Sequence, residues 1–149
     1  MSGKLRDRHT PDKMDAWARL QRASGVVLSR VEARLKADGF PPLGWYDVLL
    51  ELQRSEGMAL RPVEIEKRTL LAQYNVSRMI ERIAAAGYVE KRKTAEDGRG
   101  VMIHLLPDGE DLLKDMWPAY KRAVEAEFSI HLDDDETRIL WHMLGKLLP

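Results

Sequence analysis

Up to residue 87 the apolar residues of this chain recur at helical spacing, and between residues 88 and 106 they do not. The segments 88–93 (YVEKRK) and 101–106 (VMIHLL) are short β-capable runs joined by TAEDGRG, so the pattern predicts a β-hairpin with a polar tip. Ahead of it, LRPVEIEKRTLL reads as a short helix, with Pro62 in its first turn and Glu64 and Glu66 near the positive end of its dipole. QYNVSRMIERIAAAG then places Val76, Met79, Ile80 and Ile83 on one helical face and closes on Gly87, suited to a left-handed C-terminal position. Only a few residues around Thr69 to Ala72 separate these helices, the arrangement of a helix-turn-helix. A hairpin directly behind such a pair is what a winged helix requires.

Long helices flank this unit. Trp17, Leu20, Val27, Leu28, Val31 and Leu35 form one amphipathic stripe, ended by Asp38, Gly39 and the prolines at 41 and 42. A second helix starts near Leu43 or Gly44, carries Trp45, Val48, Leu49 and Leu52 on one face, and stops by Gly57. From Asp108 onward Leu112, Leu113, Met116, Tyr120, Val124 and Phe128 mark a long helix, interrupted by Pro118, which is expected to remove one backbone hydrogen bond and kink it. Asp133 and Glu136 have capping-box spacing before a last helix with Ile139, Leu140, Met143, Leu144 and Leu147 on its apolar face. The expected fold is mainly α with a small β-hairpin wing: a winged helix-turn-helix with N- and C-terminal dimerisation helices. Residues 1–149 form a single protomer, with a winged lobe at 43–106 and dimerisation helices at 10–38 and 107–149. The outer helices carry more apolar residues than one lobe needs, so Leu112, Met116, Tyr120, Leu140, Leu144 and Leu147 are expected to meet a second copy, as a homodimer.

Composition removes whole classes of function. The chain of 149 residues has no cysteine, which excludes disulfides, thiolate metal sites, a cysteine nucleophile and thiol sensing. His104, His131 and His142 are scattered, so neither metal nor cofactor is expected. A Gly-rich phosphate loop and a Ser/His/Asp arrangement are both missing, which argues against an enzyme. No apolar run reaches the ~18 residues of a membrane span, and the opening MSGKLRDRHTPDK has no signal-peptide core, so a cytoplasmic protein is expected. Lys+Arg and Asp+Glu balance at 24 each, but unevenly: 10 basic against 8 acidic in 1–60, 9 against 6 in 61–106, and 5 against 10 in 107–149. The basic excess is largest in the winged lobe, and neutrality excludes only indiscriminate, charge-driven binding.

From about residue 45 to residue 149 the chain resembles the MarR family of winged-helix transcriptional regulators. The resemblance is carried by WYDVLLELQRSEGMALRPVEI, LLAQYNVSRMIERIAAAGYVEKR, and EDGRGVMIHLLPDGEDLL with MWPAY after it. Two positions depart from the family pattern. Ala72 stands where a capping Ser is common, and the junction after the wing is Leu-Leu-Pro-Asp-Gly without the usual Thr, so local helix starts are expected to shift.

The resemblance implies binding to double-stranded DNA with a pseudo-palindromic operator. Gln73, Asn75, Ser77 and Arg78 occupy the N-terminal half of the recognition helix, where Asn and Gln pair bidentately with adenine and Arg with guanine. Tyr74 suits a thymine methyl or a phosphate, Arg61 a phosphate, and Arg99 the adjacent minor groove; Lys93, with Lys91 and Arg92, is a weaker candidate for the DNA backbone. The family also implies a small phenolic or lipophilic effector between the lobe and the dimer helices. Trp17, Trp45, Tyr46, Trp117 and Tyr120 are the side chains suited to line its site, core packing being their other role. The alternative is a winged-helix protein–protein adaptor, which has no need of Gln73, Asn75, Arg78 and Arg99 on one surface.

Overall fold

The computed structural model describes residues 10–69, 75–94 and 100–149. It contains α1 (Lys13–Ala37), α2 (Leu43–Arg54), β1 (Ala59–Leu60), α3 (Pro62–Arg68), α4 (Val76–Ala85), β2 (Val89–Lys93), β3 (Val101–Leu105), α5 (Pro107–Glu127) and α6 (Asp134–Gly145). The helical and hairpin order is the one the sequence predicts.

Local chemistry accounts for the boundaries. Asp12 and Asp15 close a capping box at the start of α1, each backbone N–H donating to the other's carboxylate at 2.9 Å. Asp133 and Glu136 do the same for α6, at 2.8 and 3.1 Å. Pro62 is the first residue of α3, where its missing N–H costs nothing. Gly87 ends α4 at φ 85°, a conformation that lets the Tyr88 N–H return to the Ile83 carbonyl at 3.2 Å. α5 continues through Pro118 to Glu127.

The sheet holds one strand the periodicity does not announce. Its order is β1-β3-β2, both pairs antiparallel; β1 lies on the outer side of the wing, with Ala59 opposite His104 and Leu60 opposite Ile103. This short strand ties the entry to α3 directly to the wing.

Leu49 and Leu52 from α2, Ile65 from α3, Ile80 and Ile83 from α4 and Ile103 from β3 form the fully buried centre of the lobe. Met116 of α5 and Leu35 of α1 extend the same cluster, so Met116 packs inside its own protomer rather than facing a second copy. At the other extreme, α6 buries none of its residues, and Trp17 and Leu28 on α1 are exposed rather than packed. Arg34 of α1 donates from Nε to Glu127 of α5 at 2.7 Å, joining the two long helices near their C-terminal ends.

The junction between wing and α5 depends on Gly109. A β-carbon there would collide with the Tyr88 carbonyl oxygen and come within 2.7 Å of Leu105 Cδ1. The neighbouring Leu106 N–H donates to the same carbonyl at 3.0 Å, so the backbones cannot separate without losing that bond. Gly109→Ala is expected to destabilise the protein by about 1–3 kcal/mol, the usual cost of overpacking, read as a lower urea midpoint with an unchanged slope. An unaltered midpoint would contradict this close packing.

Candidate nucleic-acid interface

The buried side of α4, Val76, Ile80 and Ile83, fixes which way its other side points. Ser77 and Arg78 are exposed there, followed by Glu81 and Arg82 one turn on. Arg82 has no carboxylate partner among the described residues and extends this face. Gln73, Tyr74 and Arg99 lie outside the described residues.

Asn75 has a different position from the one expected. It is the N-cap of α4, and its Oδ1 accepts the Arg78 N–H at 3.2 Å. The helix therefore starts with a side-chain cap despite Ala72, and three residues later than a cap at 72 would place it. Bidentate pairing with adenine requires both the carbonyl oxygen and the amide of Asn, and here the oxygen is committed to the helix. Asn75 is thus a cap first, with only its amide group free to donate.

Two of the basic side chains on β2 are tied to carboxylates. Lys91 lies 3.8 Å from Glu81 of α4, and Arg92 pairs with Glu90 at 2.8 Å. Lys93 is exposed at the end of β2 and has no such pair among the described residues. At the base of the wing the Thr94 N–H donates to the Gly100 carbonyl at 2.9 Å, and the Thr94 hydroxyl donates to it at 3.2 Å. Arg61 belongs to this region as well as to α3. Its N–H donates to Glu64 Oε1 at 3.1 Å, while a β-carbon on Gly100 would lie 3.4 Å from the Arg61 guanidinium.

The five aromatic residues considered as effector contacts divide into three groups. Tyr46, Trp117 and Tyr120 form an edge-on cluster between α2 and α5, with ring centroids 5.2 Å apart for Tyr46 and Tyr120 and 6.0 Å for Trp117 and Tyr120. Tyr46 and Trp117 border a cavity of about 420 Å³ with Gln53, Glu110 and Lys114. Trp45 instead meets Tyr88 at 6.2 Å, and Trp17 stands apart on α1 with 56% of its surface exposed. Tyr120 also borders an apolar groove of about 410 Å³ between α1, α5 and α6, with Val27, Leu28, Val124, Leu140 and Leu144.

Asp47, half-buried on α2 beside this cluster, is an electrostatic liability. Burial, then the carboxylates of Glu51 and Glu32, push its pKa from the ordinary 3.8 up to about 6. Burial likewise raises the Tyr46 and Tyr120 phenols, with Asp47 adding to both.

The arrangement described here, a helix-turn-helix with a hairpin wing and long outer helices, defines a winged helix-turn-helix protein. A model of the MarR family matches residues 38–100 of the chain. Over 90 residues it is 29% identical to the multiple antibiotic resistance protein MarR of Salmonella typhimurium, a match covering 60% of this chain and 62% of that protein. The chain thus spans under two thirds of the length of that relative. Among solved structures it is similar to Sco3205, a MarR family transcriptional regulator from Streptomyces coelicolor in complex with DNA. The TM-score is 0.80 at 21% identity, with 93% of this chain and 90% of that one covered. It is also similar to BpsR of Bordetella bronchiseptica, whose DNA binding is regulated by 6-hydroxynicotinic acid, with a TM-score of 0.78 at 24% identity and coverages of 90% and 98%.

Two outcomes test these assignments. Asn75→Ala should cost about 1 kcal/mol of stability, while Asn75→Asp, which keeps a capping oxygen, should retain most of it; equal losses in thermal melts would remove the cap. For Asp47 the folded pKa lies above the unfolded one, so the native state holds this proton more tightly, and the stability tied to it is complete below about pH 4 and lost as pH rises through about 6. Asp47→Asn should therefore be more stable than wild type at pH 8 and indistinguishable from it at pH 4. Stability curves that run parallel across that window would contradict the placement.

Proposed function

We propose that this chain is a sequence-specific double-stranded DNA-binding transcriptional regulator of the cytoplasm, acting as a homodimeric repressor released by a small phenolic or lipophilic ligand. The observation that carries the reading is the division of α4: one side is locked into the core and the other offers Ser77, Arg78 and Arg82 beside a wing. An adaptor has no use for such a face. MarR family members are regulators rather than enzymes, and the similarity to Sco3205, solved with DNA, supports the DNA reading.

What the protomer leaves uncovered supports the dimer reading. Ile139, Trp141, Met143 and Leu147 on or just beyond α6 are exposed, Trp141 by 73%, and the groove beside them is apolar. Exposed apolar surface of this extent belongs in an interface. Two recognition helices about 34 Å apart would then read two half-sites on one face of the duplex. For the effector, the Tyr46, Trp117 and Tyr120 cluster offers aromatic surface, with Gln53 and Lys114 as polar contacts; regulation of BpsR by an aromatic acid supports this chemistry.

Binding of the purified protein to DNA from its own upstream region, followed by fluorescence anisotropy over a salt series, tests the function. Affinity should fall steeply with salt, and Arg78→Ala should weaken it by about 1–3 kcal/mol at every salt concentration. The complex should contain two 17.1 kDa chains per duplex in sedimentation. Wild-type binding no tighter than to an unrelated fragment would refute the reading.

A further inference from the structure

The described surface contains one arginine placed to hold the wing itself. β1 pairs Leu60 with Ile103 of β3, so the chain enters Arg61 directly alongside the start of the wing. Its backbone is held there from both sides: Pro62 begins α3 with a fixed φ, and Glu64 accepts the Arg61 N–H at 3.1 Å. The side chain extends from this anchored point to the neck of the hairpin. There the Thr94 N–H and hydroxyl both donate to the Gly100 carbonyl, at 2.9 and 3.2 Å, and close the two strands. A β-carbon on Gly100 would lie 2.5 Å from the Thr94 hydroxyl oxygen and 3.4 Å from the Arg61 guanidinium. Position 100 thus has both the neck's own threonine and an arginine of the helix-turn-helix within contact distance of its β-carbon position.

We infer that Arg61 is a positioning residue for the wing: its planar guanidinium, braced against the Thr94–Gly100 closure, sets the direction in which the hairpin leaves the sheet. This rests on the DNA-binding reading for its consequence, because the wing's direction decides how it meets the groove beside the recognition helix. It also separates Arg61 from a simple phosphate contact. A phosphate accepts a lysine ammonium nearly as well as a guanidinium, whereas a flat brace is not reproduced by a flexible point charge.

The test uses Arg61→Lys, Arg61→Ala and Gly100→Ala in the full chain. Without DNA, amide hydrogen exchange at Thr94 should accelerate about tenfold in Arg61→Lys and Arg61→Ala alike, with the interior amides of α4 unchanged. On DNA, both Arg61 variants should lose affinity by a similar factor of about five to ten. Hydroxyl-radical protection should weaken on the wing side and persist in the major groove. Gly100→Ala, which crowds the same neck, should reproduce the wing-side loss. Unchanged Thr94 exchange in both variants would overturn the inference. So would an Arg61→Lys protein that binds like wild type while Arg61→Ala loses affinity and about one unit of salt slope, the signature of a phosphate contact alone. Failure of the wild type to bind any duplex would instead strike the DNA-binding reading, leaving the exchange measurement to decide the brace.

Discussion

The packing of Ile80 and Ile83 against Ile65, Leu52 and Ile103 is the interaction on which the rest of the molecule depends. These side chains come from α4, α3, α2 and β3, so one apolar cluster fixes the two helices of the helix-turn-helix relative to each other and to the wing. Burying each such side chain contributes about 1.5–3 kcal/mol, far more than any exposed ion pair on this surface. The orientation of Arg78 and Arg82 toward solvent follows from that burial. The charged side chains on the exposed face keep a fixed direction because the buried face leaves their helix no freedom to rotate.

Electrostatics then apportions roles on this rigid frame. Near the wing, Glu81 and Glu90 engage Lys91 and Arg92, whereas the side chains of Arg61, Arg78, Arg82 and Lys93 have no carboxylate partner among the described residues. A neutral chain is compatible with DNA recognition for this reason: its acidic excess lies in 107–149, on α5, α6 and their connection rather than on α3, α4 and the wing. Asp47 works in the opposite sense. Held half-buried among Glu32, Glu51 and two tyrosines, it places like charges together where α2 meets the long helices.

Much of this was legible in the chain because its signals are local. The 3.6-residue spacing of Val76, Ile80 and Ile83, the Asp133–Glu136 box, Pro62 at the head of α3 and Gly87 at the end of α4 each act within a few residues, and each lies where the pattern puts it. The less legible features depend on contacts across the fold. β1 has two residues and no period to detect, and the proximity of Arg61 to Gly100 follows only from its pairing with β3. Asn75 is equally plausible as reader and as cap until the start of α4 is known. The same logic applies to Met116, whose apolar stripe shows that it is covered without showing by what. Glu51 could be anticipated beside Asp47 from the i,i+4 spacing, but Glu32 comes from another helix.

The central claim is that a core-locked α4 presents a reading face in duplicate. Selecting bound duplexes from a random DNA pool with the purified wild-type protein tests it most directly. Enrichment of a pseudo-palindromic site is expected, with half-sites centred about 10 base pairs apart, one turn of B-DNA. A pool that returns no enriched sequence, or a single half-site without two-fold symmetry, would contradict it.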